Sequence, residues 1–283
     1  MRHRATGQVT EDRSYDGYQW DEAGLSVCAN PDLNYPPIIQ PNRVRCFRHH
    51  VVGTISPEAP AREPRNENKM RFASFTGPDA ASFGIVEDGR LRPIVDSRFP
   101  DLNSVIAAGA YDEAAAAATE PVAIDDTPLA PVLPNPGKII CIGMNYVAHI
   151  KEMGRERPAW PTLFTRFPDS LVGHGQPIVR PAASIRYDFE GELAVVIGRK
   201  ARHITADRAP DYIAGYACFL DGTLRDYQRH TSQFIAGKNF RHSGSFGPWL
   251  VTADEIPDPR VLTLETRVNG QVMQAGRIDD LRR

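Results

Sequence analysis

The chain has 283 residues, 41% of them hydrophobic and 24% charged, with a formal charge of -2, the composition of an ordinary soluble protein with one large or two modest domains. No Lys/Arg block stands out, so no nucleic-acid partner is expected. No apolar run of about 18 residues occurs, so no transmembrane helix and no membrane partner are expected either.

The N-terminal twenty residues lack the apolar core of a signal peptide. The four cysteines, Cys28, Cys46, Cys141 and Cys218, show no CxxC spacing. The expected setting is therefore reduced and cytoplasmic, with Cys141 and Cys218 as plain buried thiols. Residues 1–69, with "NYPPIIQP" and "SPEAPAREPRNENK", have no sustained period of 2 or 3.6. They are expected to form a disordered extension that packs too little apolar surface to offset its ordering entropy. The adjacent His49 and His50 near Cys46 are read as solvated rather than as a metal site.

From Met70 the pattern changes. "MRFASF" alternates as a strand, and "FGIVEDGRLRPIV" reads as a hairpin with Asp88-Gly89 supplying the turn. The Ala-rich run from Ser104 to Ala118 predicts a helix. Residues 70–125 then form a small N-terminal α/β lobe. The four prolines of "DDTPLAPVLPNPGK" make residues 126–137 a linker, because proline removes backbone donors. Residues 138–283 read as a second, strand-rich domain. "KIICIG" is a buried-type strand, "NYVAHIKEMG" a short helix closed by Gly154, and "QPIVRP" and "YDFEGELAVVIG" strands. "IAGYACFLDGT" and "FGPWLVTADEI" follow, and "LTLETRVNGQVMQAG" is a second hairpin with Asn269-Gly270 at its turn. Strands without βαβ alternation predict an α+β fold with a mixed or antiparallel sheet.

In "YDFEGELAVVIG" the acids Asp188, Glu190 and Glu192 fall at alternate positions. On one strand they share a face, about 6–7 Å apart, at the rim of a strand that enters a core on both faces. Crowded carboxylates repel and resist ionisation. A hard divalent cation, Mg²⁺ with Mn²⁺ or Ca²⁺ as alternatives, removes that conflict. Asp221, ending the apolar run of "CFLDGT", is a further acid at a strand terminus. The competing reading is a solvated edge strand whose acids deter pairing. His149 and Glu152 stand at i and i+3 on a helix, where a carboxylate orients an imidazole as a general base; a surface ion pair is the alternative. Lys238 in "AGKNF" is placed to hold a substrate carboxylate, or is simply solvated.

Taken in order, "CIGMNYVAHIKEMG", "LFTRFPDSLVGHGQPIVRP", "YDFEGELAVVIGRKA", "LDGTLRDYQ", "GKNF", "GPWLVTADEI" and "VNGQVMQAG" resemble the fumarylacetoacetate hydrolase family. The resemblance implies a mixed β-roll and a divalent metal, usually Mg²⁺, on Glu190, Glu192 and Asp221, with Asp188 as a neighbour. It puts the His/Glu dyad on His149 and Glu152, in a segment that orders as a lid over substrate. It puts Lys238 and Gln228 on positions contacting metal-bound substrate or the metal's waters, and Arg166, as a further substrate-binding residue, where many members carry Lys in an F-x-K stretch. It also implies a homodimer.

Members of the family cleave or rearrange 2-oxo or 1,3-dicarbonyl acids. The expected function is metal-dependent hydrolysis of a C–C bond in acylpyruvate or related diketo acids. Decarboxylation, hydration or isomerisation of a 2-oxo dicarboxylic acid shares the same enolate, and a catalytically silent, truncated member is a third possibility. Two departures from the family pattern bear on this: Arg241 follows Phe240 where many members carry an acid, and after "IDDLRR" the family continues with a helix, core strands and a TGTP-type loop, so the catalytic domain is expected to be incomplete.

Overall fold

A computed structural model describes residues 69–77, 81–147, 150, 154, 156 and 158–281. The expectations for the N-terminal extension, apart from Lys69, and for His149 and Glu152 lie outside the described residues.

The N-terminal lobe is built on a meander. Strand β1 (Arg71–Thr76) pairs antiparallel with β2 (Ala81–Glu87), which pairs with β3 (Arg90–Pro93). The β2–β3 turn is the expected one, with Asp88 and Gly89 at φ 48° and 72°, the left-handed geometry of a two-residue hairpin loop. Helix α1 (Leu102–Ala108) starts at a capping box, where the Ser104 N–H donates to Asp101 Oδ1 at 2.8 Å. The single helix expected over Ser104–Ala118 is two: Gly109, at φ 65°, closes α1, and α2 (Tyr111–Ala116) begins afresh. Strand β4 (Val122–Ala123) completes the meander against β3.

The proline-rich stretch at 126–137 has no regular structure, but it does not run free. The Thr76 N–H donates to Pro128 O at 3.0 Å, Ala130 N–H to Ser74 O at 2.9 Å and Val132 N–H to Phe246 O at 3.1 Å. Val132 is fully buried. Proline forbids a ladder here, yet enough donors remain for the segment to be pinned across the core.

The rest of the chain is strand-rich: β5 (Ile139–Gly143), β6 (Thr162–Arg166), β7 (Leu171–Val172), β8 (Tyr187–Asp188), β9 (Gly191–Ile197), β10 (Ile213–Leu220) and β11 (Thr223–Leu224). Two single-turn helices, α3 (Arg225–Gln228) and α4 (Ile235–Lys238), precede β12 (Gly244–Phe246), β13 (Leu250–Thr252), β14 (Thr263–Val268) and β15 (Gln271–Arg277). A nine-stranded sheet runs β4-β3-β2-β1-β13-β10-β12-β7, with β9 also on β10. β12–β7 is parallel and the other pairs are antiparallel. The fold is α+β with a mixed sheet, as the sequence predicts. The β1–β13 pairing makes the N-terminal lobe part of the same sheet. One apolar cluster draws Phe72, Phe83 and Leu102 from the lobe and Val196, Phe219 and Leu250 from the later strands; each such burial stabilises by about 1.5–3 kcal/mol.

Three strand expectations change. "QPIVRP" is not a strand, because Pro177 and Pro181 bracket it; its Val179 N–H donates to His242 O at 2.9 Å and its Gln176 N–H to Gly173 O at 3.2 Å, with no strand ladder. β5 is not buried on both faces: Ile140 and Ile142 are 60% and 53% exposed. "YDFEGELAVVIG" is two strands, β8 and β9, separated at Phe189 and Glu190. One face of β9 enters the core through Val196, while Val195 and Ile197 on the other are exposed.

Candidate active site

The carboxylates meet where β9 and β10 end side by side. Phe219 pairs with Glu192 and Leu220 with Gly191, and the Asp221 N–H continues the ladder to Glu190 O at 2.8 Å. Cross-strand partners share a face, as do alternate residues. Glu190, Glu192 and Asp221 therefore project from one side of the strand pair. Asp188 belongs to β8 and faces Arg225 instead, its Oδ2 accepting from Arg225 Nε at 2.8 Å.

Gly191, between the two glutamates, is required by packing. A Cβ there would lie 2.1 Å from Thr266 Oγ1. The Gly191 N–H donates to Gln274 Oε1 at 2.8 Å, and Thr266 Oγ1 donates to the same oxygen at 3.0 Å. The β14–β15 hairpin, turned at Asn269 and Gly270 with φ 52° and 81°, thus buttresses the strand that carries Glu190 and Glu192.

On the sequence alone the metal-free acids repel one another. The structure corrects this for two of the three. Lys238, on α4 and 1% exposed, places Nζ on Glu190 Oε2 and, at 2.6 Å, on Asp221 Oδ2. Arg225, at the start of α3, reaches Glu190 Oε1 with Nη1 at 2.7 Å. Burial alone would raise the Glu190 pKa, but Lys238 and Arg225 overcome it and hold the carboxyl down at about 2. Glu192 makes no ion pair among the described residues. Burial, and then the charges of Glu190 and Asp221, push it up to about 8.

Gln228 lies beside Arg225, its Oε1 accepting from Nη1 at 3.0 Å. Arg166 is not where a substrate contact would be. It is 2% exposed, and its guanidinium binds Asp221 Oδ1 at 2.6 Å and other protein acceptors. Two neighbours have no site role on the sequence alone. Cys141 on β5 carries a thiol pushed up to about 12 by burial and then by the Asp221 charge. Tyr146 is raised by burial and then by Glu192. Both sit in the quoted "CIGMNYVAHIKEMG", but neither residue type there signals a site; the β5–β6 pairing and the turn after β5 bring them in. Arg225 sits in the quoted "LDGTLRDYQ", but a lone arginine carries no chemical signal.

Among the described residues, no three His, Cys, Asp or Glu side chains are gathered as a ready-made metal cage. The donor set still fits a hard cation. It is all oxygen, and four carboxyl groups (Asp188, Glu190, Glu192, Asp221) face three cations (Arg166, Arg225, Lys238), so Glu192, once ionised, has no counter-charge among the described residues.

A sequence profile described as "Fumarylacetoacetate (FAA) hydrolase C-terminal" matches residues 138–282. The human protein named "Oxaloacetate tautomerase FAHD2A, mitochondrial" is 43% identical over 155 residues, covering 54% of this chain and 49% of its own. The chain thus spans about half the length of that relative. The solved structure of a fumarylacetoacetate hydrolase (EaFAH) from psychrophilic Exiguobacterium antarcticum superposes with a TM-score of 0.66 at 34% identity, covering 75% of this chain and 76% of that one. Another, a maleylpyruvate hydrolase from Sphingobium sp. SYK-6 in complex with manganese (II) ion and pyruvate, gives 0.60 at 26% identity over 75% and 78%. The matched stretch carries all the carboxylates and cations described above together with Gln274, and the chain belongs to the fumarylacetoacetate hydrolase family.

Proposed function

We propose that this chain binds a divalent cation, Mg²⁺ or Mn²⁺, through Glu190, Glu192 and Asp221 and moves a proton on a small 2-oxo acid, keto–enol tautomerisation of the oxaloacetate type being the first reaction to test. The observation that carries the reading is the lack of any counter-charge for Glu192 among the described residues, on one face with Glu190 and Asp221. The name of the human relative supports tautomerisation. The manganese and pyruvate held by the Sphingobium maleylpyruvate hydrolase support the cation and the acid class.

When bound, the cation supplies Lewis-acid polarisation of a keto or enolate oxygen. Lys238, held by Glu190 and Asp221, is a preorganised donor for negative charge developing on oxygen. The Arg225 side chain is 27% exposed and, with Gln228 beside it, offers donors to a substrate carboxylate. Tautomerisation takes one proton from the enol oxygen and places one on the carbon next to the oxygen-bearing carbon, so it consumes no water. His149, oriented by Glu152, is the proposed proton carrier.

The second reading, hydrolysis of a C–C bond in an acylpyruvate, asks the same base to activate water; the neighbour named as a maleylpyruvate hydrolase supports it. Decarboxylation and hydration use the same enolate and stay within this reading. Loss of the enol absorbance of oxaloacetate, followed with and without Mn²⁺ for the full chain and Glu192→Gln, tests the first reading. Product analysis with an acylpyruvate tests the second. Metal-dependent acceleration by the unaltered chain, lost in Glu192→Gln, is expected. Equal rates in both, or no acceleration of any of these reactions, overturns the assignment and leaves a catalytically silent family member. The expected homodimer is checked by light scattering.

A further inference from the structure

Resting on the cation site just proposed, we infer that Arg166 is a positioning residue: it fixes Asp221 so that only Oδ2 is offered to the site. The guanidinium, at the end of β6, commits all five of its N–H donors to protein acceptors. Nη1 donates to Asp221 Oδ1 at 2.6 Å and Gly222 O at 2.9 Å, Nη2 to Ser243 Oγ at 2.9 Å and Ser170 O at 3.4 Å, and Nε to Ser170 Oγ at 3.2 Å. Its side chain is fully buried. With nothing left to donate and no exposed surface, it cannot contact substrate.

The slot is shaped for this group. A Cβ on Gly244 would lie 2.7 Å from Arg166 Nη2, so only glycine leaves room for the planar fork. The Phe219 ring lies 6.0 Å from Arg166 Cζ, within cation–π range. Lysine at this position keeps the charge but offers three donors from a single atom, and cannot span Asp221, Ser170 and Ser243 together.

The consequence falls on Asp221. Oδ1 is engaged by Arg166 and Oδ2 by Lys238. The carboxylate's plane and rotamer are therefore set from behind, and one oxygen faces the site. Such outer partners orient a ligand and tune its affinity without touching the ion.

The test is Mn²⁺ affinity, read from the EPR signal of free ion, on the full chain carrying Arg166→Lys or Ser243→Ala. Arg166→Lys is expected to lower affinity by about tenfold to a hundredfold, and Ser243→Ala to lower it by less, with far-UV CD unchanged. Millimolar guanidinium, but not sodium, should restore affinity to Arg166→Ala. Should Arg166→Lys not fold, Ser243→Ala and the guanidinium rescue decide. Folded variants that bind Mn²⁺ as the unaltered chain does overturn the inference while leaving the cation site intact. An unaltered chain that binds no Mn²⁺ overturns the cation site and, with it, this role.

Discussion

Thr266 Oγ1 occupies the place where a Cβ on Gly191 would go, 2.1 Å from it. Both residues converge on Gln274 Oε1, Thr266 through its hydroxyl and Gly191 through its backbone N–H. Gly191→Ala should therefore push β9 off the β14–β15 hairpin and destabilise the protein by about 1–3 kcal/mol, the usual cost of overpacking. Thr266→Ala removes the clashing oxygen, so the double variant should be more stable than the sum of the two single changes predicts. Urea unfolding of the four chains measures this. Strict additivity would mean that the contact does not set the position of the strand.

Charge pairing separates the two glutamates. Glu190 is bound to Lys238 and Arg225, and Glu192 makes no ion pair among the described residues. In metal-free buffer Glu192→Gln should leave the melting temperature nearly unchanged, whereas Glu190→Gln should lower stability by about 3 kcal/mol, as breaking one side of a buried pair does. Mn²⁺ at a hundredfold excess over its dissociation constant should stabilise the unaltered chain by about 2.7 kcal/mol, and Glu192→Gln should remove that gain. Calorimetry with and without EDTA distinguishes the outcomes; a gain that survives Glu192→Gln places the ion elsewhere.

Much of this arrangement is legible in the sequence because it depends on local spacing. Alternation places Glu190 and Glu192 on one face, and the Asp88-Gly89 and Asn269-Gly270 turns each follow from two residues. What is not legible depends on contacts distant in sequence. Arg166 and Asp221 are 55 residues apart and Lys238 and Glu190 are 48, and no periodicity announces such pairs. The helix break at Gly109 is hidden because high alanine content outweighs one glycine that the chain uses as a cap. The proline-rich stretch reads as a linker because prolines reveal lost donors, not the burial of Val132 between them.

The two described thiols, Cys141 and Cys218, should be inert at neutral pH. Burial pushes Cys218 up to about 11, and burial with the Asp221 charge pushes Cys141 up to about 12, against about 8.5 for an unfolded cysteine. Only the thiolate is alkylated, so at pH 8 iodoacetamide should label Cys141 and Cys218, followed by peptide mapping, roughly a hundredfold or more slowly in the native protein than in the unfolded one. The sign of the linkage is fixed: a pKa raised in the folded state stabilises below the unfolded value. That contribution is lost as pH rises through about 9 towards 11–12. The melting temperature should fall across that window, less so in Cys218→Ala. Rapid labelling of either native thiol at pH 8 would show that the site is more open than its packing implies.

Lys238 provides the sharpest contrast between a structural and a metal-linked role. Its ammonium is buried between Glu190 and Asp221, and it lies 5.0 Å from the centroid of the Phe164 ring. Lys238→Met keeps the volume of the stem but removes the charge, leaving Arg225 on Glu190 and Arg166 on Asp221. The metal-free variant should lose about 3–5 kcal/mol, the cost of an uncompensated buried charge. A divalent cation replaces the missing positive charge, so Mn²⁺ should raise the melting temperature of Lys238→Met by more than it raises that of the unaltered chain. Turnover, if Lys238 is the donor to the developing oxyanion, should not return with the metal. Equal metal-induced shifts in the two proteins would mean that the ammonium and the ion do not act on the same carboxylates. Turnover recovered in full would remove Lys238 from the chemistry and leave it as a counter-charge alone.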